Sequence, residues 1–195
     1  MRMRARTPLG NGAGKQRSAS WPWARDGAMI FAFARTTDRP TLRMTDLPDD
    51  MHWMQRCMDL AKAAAECGEV PVGSVVVHGT TLLGEGRNRV EALRSPIAHA
   101  EIEAIQQALA VAGDKRLPDA TLYCSLEPCF LCAGAILHAR IRRVVFAARD
   151  PKFGAVRSLG QILEDPRMNH RCSVHEGLLH EVSAEMLRAF FRARR

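Results

Sequence analysis

The sequence predicts a layered α/β domain with a mixed sheet. Two observations predict this fold class. From about residue 49 onward, segments with apolar residues at helical spacing alternate with short runs typical of buried strands. The first two strands are separated only by a glycine turn, whereas each later strand is separated from its neighbour by a helix, so antiparallel and parallel pairs are both expected. The length of 195 residues suits one domain with a sizeable core, and no internal repeat is visible.

The first helix and the following hairpin have clear local signals. Asp49 or Asp50 can cap the helix, and apolar residues recur at helical spacing from there to about Glu66. Gly68 ends it. The branched apolar run 72–78 predicts a buried strand, a turn at 79–80 follows, and 81–86 is the hairpin partner.

The rest of the chain continues the alternation. Gly113 stops a helix that begins at Ala98. The sequence predicts, in order, a loop at 88–96, a helix at 98–112, a strand at 121–126, a helix at 129–139, a strand at 143–148, a loop at 150–158 followed by a short helix, a strand at 173–176 and a terminal helix at 180–192.

The residues that carry chemistry are His99-Ala100-Glu101 and, downstream, Pro128-Cys129-Phe130-Leu131-Cys132. One histidine and two cysteines offer three protein ligands for Zn²⁺. A catalytic zinc site needs this number, since its fourth position stays open for water. We expect His99 in the first turn of one helix and both cysteines in the first turn of the next, where residues three apart share a face.

Glu101 lies close enough to His99 to move protons beside such a water. The pattern therefore predicts metal-assisted hydrolysis, with attack on an amidine-like carbon and release of ammonia. Two alternatives are a structural zinc knuckle and an unrelated histidine near a chance C-x-x-C pair. The strand-to-helix context and the preceding Pro128 favour the catalytic interpretation.

Charge and cysteine usage bound the partners and the compartment. The net charge of +7 favours a polyanionic partner, nucleic acid first, although residues 1–50 carry +4 of it. No apolar run approaches the roughly 20 residues of a membrane-spanning helix. A C-x-x-C pair downstream of a histidine indicates a metal site in a reducing compartment, so we expect a cytoplasmic protein. The other four cysteines are expected in the core or on the surface.

Residues 1–47 differ from the remainder, which we assign to one domain at 48–195. The segment 1–20 is rich in Arg, Gly and Ser and has no acidic residue, which is typical of disorder. We interpret residues 1–47 as an extension, or as translated sequence upstream of a true start at Met44 or Met51. A transit peptide and a weak signal-peptide core are the alternatives.

H-x-E followed by P-C-x-x-C is the signature of the zinc-dependent nucleobase deaminases. From about Met51 to Arg195 the chain resembles one family within them, the bacterial tRNA-specific adenosine deaminases. The matching segments are Glu69-Val70-Pro71-Val72-Gly73, Gly84-Glu85-Gly86-Arg87-Asn88-Arg89, Ala98-His99-Ala100-Glu101-Ile102, Ala120-Thr121-Leu122-Tyr123, Leu126-Glu127-Pro128-Cys129, Cys132-Ala133-Gly134-Ala135, Arg140-Ile141, Val144-Val145-Phe146, Ala148-Arg149-Asp150-Pro151-Lys152, Met168-Asn169-His170-Arg171 and Phe190-Phe191-Arg192.

The resemblance implies a three-layer α/β/α, cytidine-deaminase-like domain with a mixed, about five-stranded sheet. It implies conversion of the wobble adenosine of a tRNA anticodon loop, that of tRNA-arginine, to inosine by a homodimer with one zinc per subunit. The roles it implies are zinc binding by His99, Cys129 and Cys132, proton transfer by Glu101, recognition of the flipped adenosine by Asn88, and RNA contacts by Asp150, Lys152, Phe191, Arg194 and Arg195.

Each RNA contact has a plainer alternative. Asn88 is in a turn flanked by glycine, Asp150 could form an ordinary turn, and Lys152 could be a solvated charge. The arginines near the C-terminus could complement the end of a helix. Arg157 stands where the family has the glycine of a Gly-Ser pair, which leaves the shape of that loop open.

Two further departures from the family pattern are Leu131 for a methionine and Ala147 for a glycine.

Two other functions stay open at this point. One is a zinc-dependent deaminase of a free nucleobase or nucleoside, of guanine or cytosine type. The other is a non-catalytic, zinc-stabilised RNA-binding subunit, against which the intact Glu101 argues.

Overall fold

The computed structural model describes residues 49–194. Residues 1–48 and the terminal Arg195 lie outside the described residues, so the predictions for them stay predictions. Within the described range no helix is long and apolar enough to cross a membrane.

Five strands form one mixed sheet in the order β2-β1-β3-β4-β5. β1 is antiparallel to both β2 and β3, whereas β3, β4 and β5 run parallel. This confirms the predicted mixed α/β sheet. The elements are α1 (Asp50–Glu66), β1 (Gly73–His78), β2 (Thr81–Arg87), α2 (Val90–Leu93), α3 (Ala100–Ala112), β3 (Ala120–Leu126), α4 (Phe130–Ala139), β4 (Arg143–Ala148), β5 (Ser173–Glu176) and α5 (His180–Arg192).

Alternation along the strands sends side chains to two separate cores. On one face Val75, Tyr123 and Val145 pack with Met54 and Met58 of α1. α5 contacts β4 and α1, so it belongs to the same layer. A helix layer therefore covers this side of the sheet.

The opposite face packs against α3 and α4. Val76, Leu122 and Phe146 meet Ala104 of α3 and Ile136 of α4 in the larger core cluster. Helices on both sides of one sheet give the three-layer α/β/α arrangement that the resemblance implied.

The close approach of α3 to β2 requires glycine. A Cβ on Gly86 would lie 2.2 Å from the carbonyl oxygen of Ala100, the first residue of α3. Any other side chain at this position would push the start of α3 off the sheet. The sequence Gly84-Glu85-Gly86 thus sets the distance between the sheet and the N-terminal end of α3.

The structure corrects three local predictions. The loop predicted at 88–96 contains the short helix α2. The short helix predicted after the 150–158 loop is absent from the described chain, where 159–172 forms turns. Gly160 and Pro166 leave only five residues between two helix-breaking positions, and the Asp165 carboxylate accepts the Arg167 backbone N–H in a tight turn.

The third correction concerns the helix starts. α3 begins at Ala100 and α4 at Phe130, so His99 and Cys129 are the N-cap residues rather than members of the first turn. Both have extended backbone conformations. Cys132 does lie in the first turn of α4.

Candidate active site

His99, Cys129 and Cys132 come together where the N-termini of α3 and α4 meet. Their ligand atoms all lie within 4.8 Å of one another. Nδ1 of His99 is 3.5 Å from Sγ of Cys129 and 3.4 Å from Sγ of Cys132. In a tetrahedral zinc site with ordinary bond lengths, nitrogen and sulfur ligands are separated by about 3.5 Å. The three side chains therefore fit a zinc ion with a fourth position left over.

The thiol and imidazole groups polarise one another strongly. Hydrogen bonds that Cys129 accepts from Cys132 and His99, against the effect of burial, lower the pKa of Cys129 to about 4. The same contact with Cys129, together with burial, raises the pKa of Cys132. The hydrogen bond to Cys129 also raises the pKa of His99. The cluster therefore favours a thiolate at Cys129 without a metal ion, and metal binding would deprotonate Cys132 as well.

Glu101 is buried beside this cluster, with 4% of its surface exposed. It occupies the first turn of α3, two residues after His99. Burial raises the pKa of its carboxyl group. A carboxyl group held in such surroundings is suited to exchanging a proton with a reacting group.

A cavity of about 540 Å³ opens onto the cluster. Elements distant in sequence form its wall, which includes Gly68, Glu69, Val70, Val72, Asn88, Val90, Glu91, His99, Glu101, Leu126, Glu127, Cys129, Asp150, Phe153, Phe190, Phe191 and Arg194. A second cavity of about 670 Å³ lies near the start of α1 and beside β5. That one is more open and holds none of the cluster residues, so the smaller cavity is the candidate active site.

Of the six predicted substrate-binding residues, Arg195 lies outside the described residues and four line this cavity: Asn88, Asp150, Phe191 and Arg194. Asn88 is 7% exposed, and its Nδ2 donates to Glu69 at 3.2 Å. Lys152 is exposed and does not line the cavity. Its position fits contact with the part of a substrate that stays outside.

Asp150 also builds the turn that the plainer interpretation proposed. Its Oδ1 accepts the backbone N–H groups of Lys152 at 2.9 Å and Phe153 at 3.2 Å. The two roles are compatible, because each carboxylate oxygen has two lone pairs.

The C-terminal part of α5 lies over the same cavity. The guanidinium of Arg194 lies 3.5 Å from the centroid of the Phe190 ring, a cation–π contact. It also donates to the carbonyl of Gly68 at 3.3 Å. Phe191 is half exposed. An exposed aromatic ring and a cation held by two contacts thus lie at the rim of the cavity.

Sequence reasoning missed Glu127, the residue that organises the 150–158 loop. Its carboxylate is buried and accepts four backbone N–H groups: from Asp150 at 3.0 Å, Val156 at 3.0 Å, Arg157 at 2.6 Å and Ser158 at 2.9 Å. The Ser158 hydroxyl donates to it as well. Burial opposes ionisation, but these hydrogen bonds outweigh it and lower the pKa of Glu127.

The loop is attached to the metal-ligand cluster through the same residues. Gly154 forms an isolated antiparallel bridge with Cys129, and the N–H of Ala155 donates to the carbonyl of Pro128 at 2.9 Å. A Cβ on Gly154 would lie 2.3 Å from the Glu127 carboxylate. Only glycine lets the loop close this tightly on the carboxylate.

Arg157 holds the outer side of the loop. Its side chain pairs with Glu164 at 2.6 Å and approaches Glu176 to 3.8 Å. Arg149 pairs with Glu176 at 2.7 Å. The arginine that stands in place of the family glycine is therefore accommodated by acidic partners, and its backbone N–H still reaches Glu127.

These features define a class of protein. A His–Cys–Cys cluster at two helix N-termini, a buried glutamate beside it and a cavity above it form the site of a nucleobase deaminase. A family model described as MafB19-like deaminase matches residues 48–195. The chain is 44% identical over 144 residues to a tRNA-specific adenosine deaminase of Agrobacterium fabrum, covering 74% of this chain and 95% of that protein.

A tRNA-specific adenosine deaminase of Bacillus subtilis is 42% identical over 146 residues, which cover 75% of this chain and 91% of that protein. A solved structure from studies of A-to-I editing by tRNA:A34 deaminases matches with a TM-score of 0.67 and 43% identity, covering 70% of this chain and 99% of that one. The chain belongs to the tRNA-specific adenosine deaminase family.

The fold is also shared more widely. A guanine deaminase of Nitrosomonas europaea matches with a TM-score of 0.62 and 24% identity, covering 84% of this chain and 98% of that one. At this identity the likeness concerns the fold alone.

Proposed function

We propose that this protein deaminates the wobble adenosine to inosine in a tRNA anticodon loop, that of tRNA-arginine, in the cytoplasm. The observation that carries the proposal is the His99–Cys129–Cys132 cluster with buried Glu101 at a cavity of about 540 Å³. Relatives at 42 to 44% identity are named tRNA-specific adenosine deaminases, and the match covers nearly their whole length. The net reaction consumes water and releases ammonia, with the 6-amino group of adenine replaced by oxygen.

The donor set fits one zinc ion per subunit. One imidazole nitrogen and two thiolates suit zinc better than the harder ions that prefer oxygen ligands. A bound zinc ion would supply the Lewis acidity that activates water at neutral pH. His99, Cys129 and Cys132 would hold it.

The protein's own groups would move the protons and exclude water. Glu101 is the buried carboxylate that would take one proton from the attacking water and transfer it to the ring nitrogen, and then pass the second proton, from the added hydroxyl, to the departing amine. The cavity encloses a single flipped base and so separates the reaction from bulk solvent. A base in a single-stranded loop is already partly unstacked, which lowers the cost of flipping it.

Recognition of the RNA would fall to the rim. Asn88 lines the cavity that would take the adenosine, and Phe191 and Arg194 would offer a ring for stacking and a cation for a phosphate. Asp150 lines the cavity from the 150–158 loop. Lys152, exposed on the same loop, would meet the backbone outside.

We further propose that the protein acts as a homodimer. Phe130, Leu131, Phe153 and Leu159 are each 45 to 67% exposed. They lie close together, because Gly154 bridges Cys129 and the Phe130 ring approaches Gly160. We call these four residues the apolar patch. Such a patch on one face favours burial against a second copy.

Sedimentation at micromolar concentration tests the dimer. The wild type is expected to sediment as a dimer and Leu131→Glu as a monomer, because the variant places a charge on the apolar patch. A monomeric wild type would contradict the proposal.

The activity is tested by inosine formation in a tRNA-arginine anticodon stem-loop with a wobble adenosine. Wild type and Glu101→Ala are compared, with zinc measured in both. Conversion by the wild type alone, with zinc in both proteins, supports the proposal. Absence of conversion by zinc-loaded wild type, with activity on free guanine or cytosine instead, would replace it by the small-molecule alternative.

A further inference from the structure

A second buried carboxylate, Glu69, contacts the substrate-side residue Asn88. Glu69 lies between α1 and β1 and is 2% exposed. Its Oε2 accepts Nδ2 of Asn88 at 3.2 Å and the backbone N–H of Glu91 at 3.2 Å, and its Oε1 accepts the backbone N–H of Ala92 at 2.8 Å. Glu69 thereby ties Asn88 to the start of α2.

This contact determines which way the Asn88 amide points. An ionised carboxylate can only accept hydrogen bonds, so the amide nitrogen must face Glu69 and the amide oxygen must face away. Within residues 49–194 no hydrogen bond reaches Oδ1 of Asn88, although the residue lines the cavity. The oxygen is the group that Asn88 presents to an incoming ligand.

We propose that Glu69 is a positioning residue that makes Asn88 a hydrogen-bond acceptor for the substrate. The inference rests on the proposed function, since the donor is then on the flipped nucleotide. In an RNA loop that nucleotide offers two kinds of donor, the ribose 2′-hydroxyl and the 6-amino group. A nucleotide analogue without the matching donor would leave a buried oxygen unpaired, which is a strong basis for discrimination.

Two single substitutions disturb this contact in different ways: one inverts the polarity of Asn88, and the other sets two carboxylates against each other. In Glu69→Gln the introduced amide can donate to Oδ1 of Asn88, so the asparagine turns over and presents Nδ2 to the cavity. In Asn88→Asp two carboxylates face each other at about 3 Å and repel. We expect each variant to lower kcat/KM on the stem-loop about 10- to 100-fold while retaining zinc.

The double variant Glu69→Gln with Asn88→Asp separates positioning from mere structure. The introduced glutamine donates to the introduced aspartate, which again presents an acceptor to the cavity. We expect kcat/KM to recover to within about tenfold of the wild type. A role of Glu69 limited to holding α2 would not be rescued by a change at residue 88.

A matched control keeps charge and stability effects apart. Glu66→Gln removes the same charge from an exposed position three residues away and is expected to match the wild type. Thermal unfolding and zinc content are measured for every variant. A stem-loop with 2′-deoxyadenosine at the wobble position identifies the donor: the Glu69→Gln penalty disappears on it if the hydroxyl is the partner and persists if the amino group is.

The decisive outcome is the double variant. The inference would be overturned if the double variant folds and binds zinc but is no more active than the worse single variant. Acceptor polarity would then not be what Asn88 contributes. Wild type and Glu66→Gln run in the same assay show whether the stem-loop is a substrate at all. Failure of the proposed function is thereby distinguished from failure of this inference.

Discussion

Two walls of the active-site cavity are built in different ways. The metal-ligand wall uses the N-termini of α3 and α4, where the ligands lie on or next to regular elements that the sheet already positions. The second wall is the 150–158 loop, which has no helix or named strand and closes around one carboxylate, Glu127. The metal-ligand residues are thus positioned by secondary structure, whereas the shape of the loop wall depends on one buried side chain.

This difference predicts different consequences of mutation. Changes in the first wall should remove catalysis and leave the fold intact, because the helices persist without their functional side chains. Changes in the second should alter substrate binding and stability together, since several hydrogen bonds share a single acceptor.

The largest effect is expected at Glu101, in the first wall. Glu101→Gln keeps the shape of the side chain but cannot transfer protons, so kcat on the stem-loop should fall about 10²- to 10⁴-fold. Burial raises the pKa of Glu101 and disfavours its charged form. The amide should therefore leave thermal stability unchanged or slightly higher. If kcat falls by less than about tenfold while zinc is retained, the assigned role of Glu101 is contradicted.

The second effect concerns Glu127, in the loop wall. Glu127→Gln replaces one accepting oxygen by an N–H donor that faces other donors. We expect the free energy of unfolding to fall by about 2–3 kcal/mol and KM to rise more than kcat falls. Denaturant unfolding and steady-state kinetics measure the two. Glu181→Gln, at a side chain 86% exposed, is the control with the same charge change.

A smaller effect is expected for Arg157→Gly, which restores the family residue. The backbone N–H to Glu127 is retained, whereas two partly exposed ion pairs and the side-chain hydrogen bond to the carbonyl of Val156 are lost. We expect a loss of about 1 kcal/mol that shrinks at high salt, with kcat unchanged. Faster hydrogen exchange confined to 150–164 is the direct readout. A tenfold change in kcat would show that Arg157 acts in the reaction itself.

The smallest effect lies outside both walls, at the start of α1. The hydrogen bond from Arg143, against partial burial and with help from Tyr123, lowers the pKa of Asp50 below its usual 3.8. A lowered pKa in the folded state contributes stability that is present above the unfolded value and lost as pH falls through the folded value. Asp50→Asn should flatten the decline of melting temperature at acid pH. An unchanged acid profile would show that other carboxylates dominate it.

The part of the site that the sequence revealed is the part encoded locally. His99 and Glu101 are two residues apart, and Cys129 and Cys132 are three apart on one helix start. Such short spacings keep each pair of residues at the same helix start. The structure brings the two helix starts, and with them the three predicted ligands, together. The alternation of strands and helices was likewise sufficient for the layers and for the mixed sheet.

The part that stayed hidden is encoded at long range. Glu127 accepts donors 23 to 31 residues further along the chain. Glu69 accepts donors 19 to 23 residues away. Neither glutamate has a local pattern that distinguishes it from a surface residue, since a carboxylate is buried only where the folded backbone supplies enough N–H groups. The close contacts that require glycine at positions 86 and 154 likewise become visible only when the packing partners are in place.

The distribution of the cysteines makes one position chemically addressable. Burial raises the pKa of Cys57, Cys124 and Cys172, and Cys129 and Cys132 belong to the metal cluster. Cys67 alone among the six is exposed, and it precedes Gly68, whose carbonyl receives Arg194 of the cavity rim. A maleimide dye on the unmodified, zinc-loaded protein would therefore attach at Cys67 and place a fluorescent reporter beside the rim, where the arrival of RNA would change its emission.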